Sequence, residues 1–226
     1  FGVMKLVLTI FVLVGLCCAK YDISGNWKLS ENRSSCSVTS MPLSVQILQM
    51  NKMLILVDNN DPEDAFSTII HEDSFIITTM SDLHTPVTCS SIVVNETNIH
   101  GACFGQNVLC GFDYSLSQPC TNNFQGQNLQ GIWGESETNG TCPFPATLAI
   151  FECGNIARLM SNDINGPALD ATVTADGVLQ FTFAGLECQA SYENGNSQTL
   201  RGECNRLCHS FTFQRKNYDP SQQMFQ

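Results

Sequence analysis

The tripeptide Gly25-Asn26-Trp27 returns in the second half of the chain as Gly131-Ile132-Trp133, and the two blocks hold its only tryptophans. Nine residues after each tryptophan stands a cysteine, Cys36 or Cys142, and an Asn-x-Ser/Thr acceptor lies in between, at Asn32 or Asn139. Cys89, Cys103 and Cys110 then answer to Cys188, Cys204 and Cys208. A duplication of this size implies one structural unit built twice, each copy with its own core. The copies run from about Tyr21 to Gln118 and from about Asn128 to Lys216. That divides the chain into repeat 1 (20–118), a polar linker (119–127), repeat 2 (128–216) and a polar tail (217–226). Cys120 in the linker and Cys153 in the second copy have no counterparts and remain as a fifth pair.

The first residues indicate the compartment. Met4-Lys5 leads into an apolar run from Leu6 to Leu16, followed by Cys17-Cys18-Ala19, the pattern of a secretory signal peptide. Residues 1–19 are therefore expected to leave by cleavage after Ala19, with Phe1-Gly2-Val3 as upstream sequence. The run falls short of the roughly 20 apolar residues that a membrane span needs. Of the 12 cysteines, ten remain after cleavage, an even number that suits disulfides in an oxidising compartment. Asn32, Asn95 and Asn139 are the expected glycosylation sites. The formal charge of −11 becomes more negative once Lys5 is gone, and a surface of that sign repels nucleic acid. With 43% hydrophobic and 14% charged residues, the chain also lacks the composition of a disordered protein.

Each copy reads as short β-strands separated by Gly, Asn, Asp and Pro. In the first, strands are expected at Asn26–Ser30, Leu43–Gln49, Met53–Val57, Phe66–His71, Phe75–Met80, Val87–Val94, Ile99–Phe104 and Phe112–Leu116. Phe75, Ile77 and Thr79 share one face, as do Phe112, Tyr114 and Leu116. Leu179–Phe183 and Phe211–Phe213 are the clearest strands of the second copy. About eight strands per copy predict an all-β protein of two tandem antiparallel up-and-down barrels, with a β-sandwich as the alternative. Cross-strand partners in a hairpin lie symmetrically about its turn. Cys89 and Cys103 are centred on the turn Asn95-Glu96-Thr97-Asn98, and Cys188 and Cys204 on Glu193-Asn194-Gly195-Asn196-Ser197, so both pairs suit bridges across one hairpin. If first and last strands pair, Cys36–Cys110 and Cys142–Cys208 would fasten each barrel, leaving Cys120–Cys153. Four cysteines per copy admit three pairings, so symmetry favours this set without excluding the others.

A Gly-x-Trp on the first strand of an eight-stranded antiparallel meander resembles the opening motif of the lipocalins and the wider superfamily that includes avidins and small metalloprotease inhibitors. The resemblance implies a barrel whose tryptophan packs across the closed end, beneath an arginine from the end of the last strand. Trp27 and Trp133 take the tryptophan's place, and Arg215 suits the arginine over Trp133. The first copy departs from the pattern, having no arginine after Leu116. Each copy is also shorter than a full lipocalin.

Residues that could carry chemistry are few. The histidines His71, His84, His100 and His209 are scattered, and no nucleophile elbow, phosphate loop or zinc-protease motif occurs. Cys204-x-x-x-Cys208-His209 has metal-ligand types, but disulfides are the expected fate of those cysteines. Asp58, Asp61, Glu63 and Asp64 offer oxygens for calcium at a spacing that fits no calcium loop. Glu135 and Glu187 are acid–base candidates by residue type only, and no spacing supports them as a pair. No catalytic residue, metal or cofactor is expected. The sequence thus favours a secreted, non-catalytic binding protein, taking a small apolar ligand or an extracellular protein, with self-association among the options. The alternatives are a structural glycoprotein of an extracellular coat, matrix or fibre, and a secreted protease inhibitor.

Overall fold

The computed structural model describes residues 19–30, 42–61, 65–80, 86–105, 108–120, 128–140, 142, 144–161, 169–205 and 208–217. All sixteen elements among them are β-strands, and the chain divides into two compact units, Phe1–Pro119 and Cys120–Gln226. The signal segment, apart from Ala19, and Asn32, Cys36, Glu63, Asp64 and His84 lie outside the described residues.

The first unit contains β1 (Gly25–Leu29), β2 (Ser44–Met50), β3 (Met53–Asp58), β4 (Ala65–Ile69), β5 (Ser74–Met80), β6 (Pro86–Asn95), β7 (Asn98–Gly105) and β8 (Val108–Pro119). They form one antiparallel sheet in the order β4-β3-β2-β1-β8-β7-β6-β5. The second contains β9 (Gly131–Gly140), β10 (Thr147–Cys153), β11 (Ile156–Ser161), β12 (Leu169–Val173), β13 (Leu179–Phe183), β14 (Leu186–Glu193), β15 (Asn196–Cys204) and β16 (Cys208–Lys216), and closes into a barrel. First and last strands pair antiparallel in both units. Each sheet is therefore a rolled meander and not two sheets face to face, which removes the sandwich alternative. One strand differs clearly from its expected bounds. β8 extends four residues before Phe112 and three beyond Leu116, because its first part, Val108 to Ser115, pairs with β7 and its last part, Tyr114 to Pro119, pairs with β1.

Alternation explains the interiors. Leu54 and Leu56 on β3, Val93 on β6, and Phe112 and Tyr114 on β8 enter the first core with Trp27 and Ile47. Ile150, Leu159, Phe181, Phe211 and Phe213 do the same around Trp133. On β2 and β3 the opposite face is buried too, at Leu48, Met50, Ile55 and Val57, and so is that of β10 and β11, at Ala149, Phe151 and Met160. A strand buried on both sides needs apolar residues at both parities. That is why Met53–Val57 of β3 and Leu148–Phe151 of β10 read as continuous apolar runs, whereas β2 and β11 carry Gln46 and Arg158 among their buried residues.

Cross-strand glycines shape both barrels identically. The ring of Phe112 lies across Gly101, its register partner, and a Cβ there would stand 2.2 Å from Cζ. Phe211 lies across Gly202 in the same way, at 2.3 Å. No other residue type leaves space for the ring.

Disulfides join Cys89 to Cys103 and Cys188 to Cys204, each pair with Cα atoms 4.0 Å apart across one hairpin. Cys142–Cys208 ties the loop after β9 to β16, and Cys120–Cys153 holds the chain before β9 against the end of β10. Cys110 is also disulfide-bonded; the expected partner, Cys36, is not among the described residues.

Candidate functional site

The two barrel floors are built alike and finished differently. Each tryptophan is fully buried. Trp27 Nε1 donates to the Ile23 carbonyl at 2.9 Å, and Trp133 Nε1 to the Leu129 carbonyl at 3.0 Å. Arg215 is the register partner of Trp133, and its guanidinium carbon lies 4.6 Å from the ring centre. Its nitrogens donate to the carbonyls of Ser197, Gln130 and Asn128 at 3.0, 3.1 and 2.9 Å, and to the Tyr192 hydroxyl at 2.6 Å. Gly131 leaves the space this needs, since a Cβ there would stand 3.2 Å from Arg215 Nη1. In the first barrel the register partner of Trp27 is Leu116, against which a Cβ on Gly25 would stand at 2.7 Å.

The substitutions continue around the floor. Glu152 accepts the Leu129 amide at 2.9 Å, where Gln49 accepts that of Ile23 at 3.0 Å. The registers also place Val93 where the second barrel has Tyr192. Burial pushes the Glu152 carboxyl above the ordinary carboxylate range, opposed by the Leu129 and Gln130 amides and by the charge of Arg215. These groups hold backbone carbonyls and amides, and so brace the floor.

At the end opposite Trp133, Phe144 closes the second barrel. Its ring centre lies 4.6 Å from that of Phe211, 5.3 Å from Phe183, 5.9 Å from Phe213 and 6.0 Å from Phe181. Such offset and edge-on contacts favour aromatic clusters beyond their buried area. The Cys142–Cys208 bridge sits two residues away and holds the loop in place. The mouth that a small ligand would enter is occupied by the chain's own side chain.

The outer surfaces differ most. On the first barrel, β5 to β8 present three rows of side chains set by register: Thr78, Thr88, Phe104 and Leu109; Ile76, Ser90, Ala102 and Gly111; Ser74, Ile92, His100 and Asp113. Ile76, Ile92, Val94, Phe104 and Leu109 are 47 to 79% exposed. Among the described residues of these rows, Asp113 is the one carboxylate, and its partner is His100 Nδ1. Equating the hairpin cysteines of the two barrels gives the corresponding positions of the second. Ile76 becomes Gln180, Thr88 becomes Glu187, Ser90 becomes Gln189 and Ala102 becomes Glu203. All four are exposed. A cleft of about 1030 Å³ runs over this polar side, where buried Arg158 is ion-paired with Asp170.

One side of the apolar face also borders a gap. In the second barrel β12 and β13 pair at Ala171↔Phe181, Thr172↔Gln180 and Val173↔Leu179. Their counterparts β4 and β5 form no such ladder among the described residues. They are linked by the His71↔Ser74 bridge and by Thr68 Oγ1 donating to the Ile76 carbonyl at 2.6 Å.

The remaining sequence-selected residues separate. Glu135 on β9 and Glu187 on β14 have β15 and β16 between them, about 14 Å at ordinary strand spacing, so they form no acid–base pair. Cys204 and Cys208 are both in disulfides and offer no thiolate to a metal. No group of three or more His, Cys, Asp or Glu suited to a metal occurs among the described residues. Asp58 Oδ1 accepts the Asn60 amide at 2.8 Å, and Asp61 is an exposed neighbour. Asn95 is exposed in the β6–β7 turn, its Oδ1 accepting from the amide and hydroxyl of Thr97, both at 2.9 Å. Asn139 lies on β9 opposite Ser210. The apolar face itself was missed, although apolar residues at both parities of β5 and β6 are its sequence signal. That pattern equally describes a strand buried on both sides.

No protein family, curated protein or solved structure matches the chain. Its class is therefore stated from its own geometry: tandem eight-stranded antiparallel barrels, one closed and one nearly closed, stapled by disulfides. No helix among the described residues is long and apolar enough to cross a membrane.

Proposed function

We propose that the chain is a secreted, non-catalytic binding protein that meets an extracellular protein through the outer sheet of its first barrel. The observation that carries this reading is the contrast between equivalent surfaces. One barrel shows Ile76, Ser90 and Ala102 to solvent where the other shows Gln180, Gln189 and Glu203. Contiguous apolar surface is uncommon on a protein that works alone and marks contact sites. The Phe144 plug argues against a small apolar ligand in the second barrel. Extracellular location is supported by the disulfides and by the apolar leader, and glycosylation at Asn95 by its exposed turn. The Arg215–Trp133 floor supports a lipocalin-like reading of the second barrel.

Native mass spectrometry of protein secreted from eukaryotic cells, under non-reducing conditions, tests the reading. The expected result is a disulfide-linked chain carrying no stoichiometric small molecule. A small apolar molecule retained one to one would place the binding site in a barrel interior and overturn the assignment to the outer sheet.

A further inference from the structure

We infer that the partner of the first barrel's outer sheet is the same sheet of a second copy of the chain, the two packing face to face about a two-fold axis. This rests on the reading that the outer sheet is a contact surface, and adds what covers it.

Charge selects the partner. The chain carries −11 overall, so two copies repel each other at most approaches. The three rows on β5 to β8 contain no lysine, arginine or glutamate, and their one aspartate is held by His100. Two acidic copies can close on this face without bringing unpaired charges together. A basic partner would instead gain most from the acidic surface elsewhere, and nothing on this face would attract it.

Shape agrees with charge. The middle row passes through Ser90, Ala102 and Gly111, three small residues in register on adjacent strands. Phe104 and Leu109, register partners, stand above it, and Ile92 stands below. The face is thus a shallow trough, ending at Ile76, with the apolar Phe104–Leu109 ridge on one side and, on the other, Ile92 beside the His100–Asp113 pair. A two-fold contact requires one surface to fit itself, residue i against j and j against i. A trough beside a ridge meets that requirement: Phe104 and Leu109 of each copy enter the Ser90–Ala102–Gly111 trough of the other. Sheets packed in this way sit about 10 Å apart with interdigitated side chains. The second barrel cannot make the same contact, because Gln189 and Glu203 fill its trough.

Sedimentation velocity of the full secreted chain, from about 1 to about 200 µM, covers the range in which a standard-size interface assembles. We expect a monomer–dimer equilibrium that strengthens with added salt, because screening removes repulsion between acidic copies. Ala102→Arg, at a solvent-facing trough position, should weaken dimerisation at least tenfold. Phe104→Lys should do the same, and Ile156→Lys on the second barrel should leave it unchanged. Far-ultraviolet circular dichroism checks that each variant folds. A monomer at every concentration, or a dimer indifferent to both trough and ridge variants, overturns the inference. Neither result touches the broader reading, which fails separately if a small molecule is retained within a barrel.

Discussion

Arg215 lies over Trp133 in the second barrel, whereas Leu116 faces Trp27 at the same register position of the first. One architecture therefore has a floor braced by a cation and another braced by packing. Removing Arg215 takes a donor from three backbone carbonyls and from the Tyr192 hydroxyl, and of these the Asn128 carbonyl keeps the Tyr192 hydroxyl as a donor. Arg215→Ala should cost the second barrel about 2–4 kcal/mol, as expected for breaking a partly buried network. Lysine should rescue little, since one ammonium cannot reach four acceptors in a fork. Urea denaturation followed by tryptophan emission measures both.

Glu152 and Gln49 accept equivalent amides, but only Glu152 titrates. Burial raises its carboxyl in the folded chain above the unfolded value near 4.3. Between those two values the native state holds the proton more tightly. The Glu152 contribution to stability is thus fully present below the unfolded value, falls as pH rises through the folded one, and is constant above it. Glu152→Gln should copy the first barrel, flatten this part of the stability–pH curve and stabilise the second barrel at neutral pH. A steeper curve in the variant would contradict the cause assigned to the shift.

Gly101 and Gly202 should tolerate no side chain. Alanine at either position meets a phenylalanine ring at 2.2 or 2.3 Å and must displace it. A cost of about 1–3 kcal/mol follows from overpacking of this kind. Gly195, in an open turn with nothing within 4 Å, is the comparison position where lost packing cannot contribute. Its φ of 74° still makes a side chain there costly through backbone strain alone. Thermal unfolding of Gly101→Ala and Gly202→Ala should therefore show lowered midpoints with the ring environments altered, whereas Gly195→Ala leaves the ring signals intact.

The disulfides should differ in worth. Cys142–Cys208 closes 66 residues and Cys89–Cys103 closes 14. Chain-entropy scaling predicts losses of about 4 and about 3 kcal/mol respectively. Replacing Cys142 and Cys208 with serine should additionally loosen Phe144, exposing the aromatic cluster to an apolar fluorescent dye. The Cys89–Cys103 variant should bind less of it.

The hairpin bridges were legible in the sequence because antiparallel pairing is symmetric about its turn. Cys89 and Cys103 announce their register by being equidistant from Asn95-Glu96-Thr97-Asn98. The places of Trp27, Trp133 and Arg215 came from the resemblance of Gly-x-Trp to the lipocalin opening motif, not from periodicity or spacing. The extent of β8 was not legible, because its length depends on two neighbours at once. Nor was the gap beside β5: whether β4 and β5 zip together is decided by how the whole sheet curls, and nothing in Ala65–Ile69 or Ser74–Met80 encodes it. The outer face stayed hidden for another reason. Ile76 and Ile92 alternate with interior residues Phe75 and Val93, and sequence cannot tell an exposed second face from a covered one.

Hydroxyl-radical footprinting tests the central claim most directly, comparing the chain in its native surroundings with the purified chain at high dilution. Protection of Ile92, Phe104 and Leu109 in the native surroundings is predicted, with Gln189 and Glu203 modified equally in both. Equal modification of the first-barrel residues in both samples would contradict it.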